Sequence, residues 1–143
     1  MYKGVREFDE DEISPEALLA VVWDVARYPN FVRGVVAVNV LQDDGRHSLA
    51  EFKTTVTGLD FSYVLKLERE PDRVCWRRVS GAFRIVEGSM AHLGGTRFRY
   101  ENALDPGFAV PGFAVRFVLE RSLPRLIREF RKRAKLCVPG AQG

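Results

Sequence analysis

The sequence predicts one α+β domain, in which a curved antiparallel sheet of about seven strands wraps around a long C-terminal helix and two short helices follow the first strand. Three observations lead to that reading. A marked helix start at Ser14-Pro15-Glu16 follows an initial strand-like stretch, turn-separated alternating segments run from Val35 to Leu104, and apolar residues then recur at helical spacing from Phe113 to Ala134. At 143 residues the chain has the size of one domain, spanning 1–143, and can bury roughly two-thirds of its unfolded surface.

Tyr2, Val5 and Phe8 stand among charges and suggest an edge strand that ends in the acidic stretch Asp9 to Glu12. Ser14 can accept a bond from the free N–H groups of a first helical turn, Pro15 loses nothing at the first helical position, and Glu16 suits its positive end. Leu18, Val21, Val22 and Val25 keep helical spacing until Arg27-Tyr28-Pro29, where proline pushes the preceding residue out of the α region. A second short helical turn is expected over Asn30 to Arg33.

Val35 to Leu41 reads as a strand and Asp43-Asp44-Gly45 as a hairpin turn. Strands are then expected over Ser48 to Thr57, Leu59 to Arg69, Val74 to Ser80, Ala82 to His92 and Thr96 to Leu104. Breaker residues separate them, and such short connections imply an antiparallel meander. The loop Asp105 to Gly112 is rich in breakers yet carries Phe108 and Val110, apolar residues suited to covering a cavity as a gate. A helix from roughly Gly112 to Leu136 would span about 36 Å at 1.5 Å per residue, enough to cross the sheet. Pro124 should kink it between Leu119 and Pro124.

With 46% hydrophobic and 29% charged residues, the composition excludes disorder as the main state. The charged stretch Met1 to Glu12 is no signal peptide, and no segment approaches the roughly 20 apolar residues that cross a bilayer, so a cytoplasmic protein is expected. Cys75 and Cys137 have no CxxC spacing and are expected to be free thiols. The net charge of +3 is concentrated in the last helix, where Arg116, Arg121, Arg125, Arg128, Arg131, Lys132, Arg133 and Lys135 face only Glu120 and Glu129. A solvated helix face is the ordinary explanation. A ribosome or an anionic membrane surface is the sharper one, and no specific DNA binding is expected.

The order of elements and several local motifs carry a resemblance. Ser14-Pro15-Glu16, Asp24-Val25-Ala26-Arg27-Tyr28-Pro29-Asn30-Phe31, Trp76 with Gly81-Ala82-Phe83, Glu87-Gly88-Ser89, Gly95-Thr96 and Asp105-Pro106-Gly107-Phe108 occur in the order found in the START-like, or SRPBCC, superfamily. Within it the chain resembles the polyketide cyclase/dehydrase and coenzyme Q-binding group. The resemblance implies a helix-grip fold with a deep apolar cavity between sheet and helix. Met90 and His92 depart from residues common at those positions in the group.

Polar residues on inward faces are the candidates for chemistry. Phe98, Tyr100 and Asn102 share one strand parity, Trp76 and Arg78 another, and Phe61, Tyr63 and Leu65 a third. With Phe113 and Phe117 from the long helix they form the expected cavity lining. Each has a plain alternative: Asn102 bonding backbone at a bulge, Arg78 turned outward, Tyr63 and Tyr100 as core residues with wetted tips. His92 reads as a strand-end surface residue, and Trp23 and Phe31 as helix-to-sheet packing.

GxSxG, HExxH and glycine-rich phosphate loops are absent, and His47 and His92 are the two imidazoles, so neither a metal nor a cofactor is expected and no catalytic residue is assigned. The first expectation is a binder or carrier of an apolar small molecule: a lipid, quinone, isoprenoid or polyketide-like compound. A cofactor-independent polyketide aromatase/cyclase is the alternative, and a ribosome-interacting protein using the basic helix a third.

Overall fold

Ser14 opens the first helix as its sequence suggests. Its hydroxyl accepts the Ala17 N–H at 3.2 Å, and α1 runs over Pro15–Trp23 with Leu18, Leu19, Val21 and Val22 buried. The structure, a computed structural model, describes residues 2–56, 58–109 and 122–137. The expected second helical turn lies earlier than Asn30 to Arg33: a 3₁₀ helix occupies Val25–Asn30, with Pro29 inside it. Tyr28 points back from it, and its hydroxyl donates to the Val22 carbonyl at 2.5 Å, satisfying an acceptor near the end of α1.

Seven strands follow the order of the chain: β1 (Tyr2–Asp9), β2 (Val35–Asp43), β3 (His47–Val56), β4 (Leu59–Glu70), β5 (Arg73–Gly81), β6 (Ile85–Gly94) and β7 (Arg97–Asp105). They form one antiparallel sheet in the order β1-β7-β6-β5-β4-β3-β2. β2 to β7 make the meander, and β1 closes on β7 from Tyr2↔Leu104 to Asp9↔Arg97.

β6 begins at Ile85 rather than Ala82, and the cause is Phe83. Its φ of 69° lies in the left-handed region, and its ring packs on Phe61 at 4.7 Å and Tyr63 at 5.7 Å. Holding the ring there breaks the extended run. Arg84 pairs with Asp105 across the same corner.

The C-terminal helix is α2 (Leu123–Cys137) within the described residues. Its expected first half, and with it Phe113, Phe117 and Val110, lies outside them; of the expected kink, only Ser122 onward belongs to them. Leu123, Ile127, Phe130 and Ala134 are buried, the stripe the spacing predicts. Phe130 meets Tyr28 at 5.5 Å and Phe31 at 6.2 Å, so α2, the 3₁₀ turn and β3 share one core through Tyr28 and Phe52.

The basic side of α2 has more counter-charges than Glu120 and Glu129. Glu10 and Glu12, just past β1, bind Arg131 at 2.7 Å and Lys135 at 2.5 Å. Arg125 pairs with Glu129, whose other oxygen accepts the Arg33 N–H, and Arg133 lies 5.4 Å over the Phe31 ring. Much of the cluster therefore fastens the helix to the body.

The inner face of the sheet as a candidate ligand site

Direct partners in an antiparallel pair share a face, so the registers decide which side chains meet. Phe52 opposes Tyr63, Ala50 opposes Leu65, Leu67 opposes Trp76, Trp76 opposes Gly88, and Gly88 opposes Asn102. Phe61, Tyr63, Leu65, Trp76, Phe98, Tyr100 and Asn102 therefore lie on one face, with buried Phe52, Val74 and Met90 among them. The opposite face carries Arg77, Glu87, Arg99 and Glu101.

Arg78 keeps the parity of Trp76. The bulge falls one residue later, at Val79, because Leu65 pairs with Arg78 while Val64 pairs with Ser80. Val79 is turned out and 51% exposed. The Arg78 guanidinium bends to the strand end and donates to the Gly81 carbonyl at 3.0 and 3.3 Å, so this cation sits at the rim, and Arg6 on β1, opposite Tyr100, is a second cation of the same face.

The aromatic residues form two connected groups. Tyr63 stacks on Phe52 at 5.7 Å and touches Phe83, which continues to Phe61. Trp76 packs on Tyr100 at 5.6 Å. Tyr100 is buried, whereas Phe61, Tyr63, Trp76 and Phe83 are half-buried. Burial pushes the Tyr63 phenol up, partly offset by its bond with the Thr54 side chain. Tyr100 is pushed far above the usual phenol range by burial and then by the nearby Tyr63. Both stay neutral at physiological pH.

Asn102 meets no bulge: the irregularity between β6 and β7 lies at His92 and Gly94. Its Oδ1 is buried with no hydrogen-bond partner. His92 has its ring Nε2 2.8 Å from the Gly95 carbonyl, and Trp23 lies beneath the Arg69 guanidinium at 5.7 Å, so both are accounted for at the periphery. Phe108 is 59% exposed on the loop after β7. A groove of about 390 Å³ lined by Arg46, Arg69, Glu70 and Pro71 opens to solvent at the far end of β4 from Phe61 and holds none of the aromatic residues. Among the described residues no group of three or more His, Cys, Asp or Glu is placed to hold a metal, and no helix is long and apolar enough to cross a membrane.

Sequence parity finds Tyr63, Trp76, Tyr100 and Asn102. It passes over Phe83, whose role depends on a left-handed backbone, and Phe52, whose alternation with Ala50 and Thr54 was the available signal.

A seven-stranded antiparallel sheet with a C-terminal helix against its inner face is the helix-grip architecture of START-like proteins. The family model for polyketide cyclase / dehydrase and lipid transport matches residues 12–131, and the chain belongs to that family. Among solved structures it is similar to a START superfamily protein from Mycobacterium smegmatis, at 16% identity and a TM-score of 0.80, covering 96% of this chain and 100% of that one. The Zhui aromatase/cyclase from a Streptomyces species matches at 14% identity and a TM-score of 0.76, with 99% of each chain covered. A STAR-related lipid transfer protein from Xanthomonas axonopodis matches at 12% identity and a TM-score of 0.64, over 92% of this chain and 94% of that one. At these identities the likeness shows the fold. No curated protein matches the chain in sequence.

Proposed function

We propose that the chain binds or carries a bulky apolar small molecule, of the lipid, quinone, isoprenoid or polyketide class, against the inner face of its sheet. The observation that carries this reading is the set of large rings left half-buried on a concave face, Phe61, Tyr63, Trp76 and Phe83. Rings at core positions that neighbours do not fully cover gain from an apolar occupant, at about 25 cal/mol for each Å² removed from water. Family membership and the lipid transfer protein among its structural relatives support the same reading. Phe108 is the gate candidate within the described residues, and Val110, Phe113 and Phe117 extend the proposal beyond them.

Cyclisation is the second reading, favoured by Arg78, Tyr63 and Tyr100 sharing the inner face of the sheet and by the likeness to an aromatase/cyclase. It ranks below carriage because phenols held above their usual range exchange protons poorly near neutrality. A ribosome or anionic membrane partner would have to use what remains of the basic face, chiefly exposed Arg128 and Lys132, since Arg125, Arg131 and Lys135 are paired within the protein.

Native mass spectrometry of protein isolated from its own host tests the proposal. A co-purifying quinone, lipid or polyketide-like compound is expected. Empty protein that sediments with ribosomes would overturn it. For the cyclase reading, Arg78→Ala should abolish turnover with little loss of stability, and unchanged turnover removes that role.

A further inference from the structure

The two edges of the sheet differ in kind. At one edge β1 sets Lys3, Arg6, Glu7 and Asp9 among its apolar residues. At the other, β2 carries no charge, proline or glycine from Val35 to Gln42, and four of those eight residues are valine, a residue that favours strands. Among the described residues no strand pairs beyond it, and the backbone bond it receives from the preceding 3₁₀ segment goes to its first residue, from the Val35 N–H to the Val32 carbonyl. From Val36 to Asp43 every residue except Val38 is exposed.

An open edge offers unpaired N–H and C=O groups to any other strand, and proteins guard such edges with charges, proline or bulges. β2 has bulges at Val36 and Leu41, but they flank a regular run, Ala37 to Val40, and leave it intact. In that run Val38 and Val40 oppose the buried Phe52 and Ala50 and so take the inner side, while Ala37 and Asn39 oppose Lys53 and Glu51 on the outer side. The bulged residues are themselves apolar, Val36 being 62% and Leu41 49% exposed. The guard is therefore missing over the stretch where pairing is easiest.

The strand is also complementary to itself. Asn39 is its midpoint. A second copy laid antiparallel about a two-fold axis at that residue sets Val38 of each copy against Val40 of the other on the inner side, and Asn39 against its own equivalent on the outer. No like charges meet between Val36 and Gln42, and each Asn39 amide has both donors and an acceptor to offer the other. We infer that the chain forms a two-fold dimer through antiparallel pairing of β2 with β2 of a second copy, which joins the two sheets into one. Strand-to-strand contact lies at the small end of specific interfaces, below about 1,200 Å² in total, so the dimer dissociates reversibly at about 10–100 µM. The pairing does not depend on what the inner face binds.

Sedimentation velocity from micromolar to near-millimolar protein tests the association, and NMR on a mixture of isotope-labelled and unlabelled protein tests the register. The wild-type chain is expected to pass from monomer to dimer, with contacts between the Val38 methyl groups of one copy and the Val40 methyl groups of the other. Asn39→Asp keeps the side chain's shape, removes its donor and sets two carboxylates opposite each other. It should raise the dissociation constant at least about tenfold at low salt, and added salt should recover part of that loss. A wild-type protein that stays monomeric throughout would overturn the inference, as would a dimer without the Val38–Val40 contacts. So would an aspartate variant that dimerises as well as wild type, or growth into larger oligomers, because a two-fold pairing uses up the edge. The contacts in the wild-type dimer decide the matter even if the aspartate variant does not fold.

Discussion

Replacing Glu10 with glutamine should loosen the C-terminal helix in a pH-dependent way. The Glu10 side chain is 1% exposed, accepts the Arg131 guanidinium at 2.7 Å through one oxygen and accepts the Glu12 N–H at 2.8 Å through the other. Burial on its own would raise its pKa, but the Glu12 N–H, the Arg131 bond and the charges of Arg131 and Lys135 together hold it below the ordinary 4.5. Glutamine keeps a neutral acceptor for the Glu12 N–H and loses the ionic bond. Bonds to charged groups contribute about 1.5–3 kcal/mol against 0.5–1.5 for neutral ones, so the loss is about 1–2 kcal/mol, limited by the partial solvent access of Arg131. For a chain of 143 residues that lowers Tm by roughly 3–8 °C. A carboxylate with a depressed folded pKa contributes its full stabilisation above the unfolded value and loses it as pH falls through the folded one. The gap between wild type and variant should therefore be present at pH 7 and shrink below pH 4.5. Urea titrations followed by tryptophan fluorescence at both ends of that window measure it. Equal stabilities at pH 7, or a gap that stays constant into acid, would refute the assignment.

Three further outcomes follow from packing. Tyr28→Phe removes the hydroxyl that donates to the Val22 carbonyl at 2.5 Å and should cost about 1–2 kcal/mol in urea unfolding, with no cavity to confuse the result. Gly88→Ala puts a methyl group 2.3 Å from the Glu101 carbonyl oxygen, and because backbone cannot swing aside, a loss near the upper end of the roughly 1–3 kcal/mol range for overpacking is expected. A fully stable alanine variant would show that the two strands sit further apart than described. Phe83→Gly relieves about 1–2 kcal/mol of left-handed strain but forfeits a half-buried ring packed on Phe61 and Tyr63, about 1–2 kcal/mol, and adds about 0.5–1 kcal/mol of backbone entropy to the cost of folding. Thermal melts should show net destabilisation, and a gain in Tm would mean that the strain outweighs the packing.

The strands were legible because alternation and turn residues are local properties: Asp44 bonding the Arg46 and His47 N–H groups closes the predicted β2–β3 turn without help from elsewhere. Ala82-Phe83-Arg84 has strand composition, and only the distant rings of Phe61 and Tyr63 turn it into a bend. The basic cluster misled for a similar reason, since Glu10 lies 121 residues from Arg131 and nothing near the helix announces it. The cavity candidates on alternating positions followed from parity. That Asn102 Oδ1 has no partner did not, because it depends on the residues that two other strands place beside it.

The pairing of β1 with β7 sets an order of events during synthesis. Chains emerge N-terminus first, so β1 leaves the ribosome with its partner about 90 to 100 residues behind it, from Tyr2↔Leu104 to Asp9↔Arg97. Until then it is a strand without a sheet, the condition in which chains aggregate. Lys3, Arg6, Glu7 and Asp9 interrupt its apolar residues and discourage pairing with another molecule during that wait. When β7 arrives the strand docks, and the carboxylates beyond it are carried to the place where the last helix will close. β1, made before every other strand of the sheet, is thus among the last to become secure.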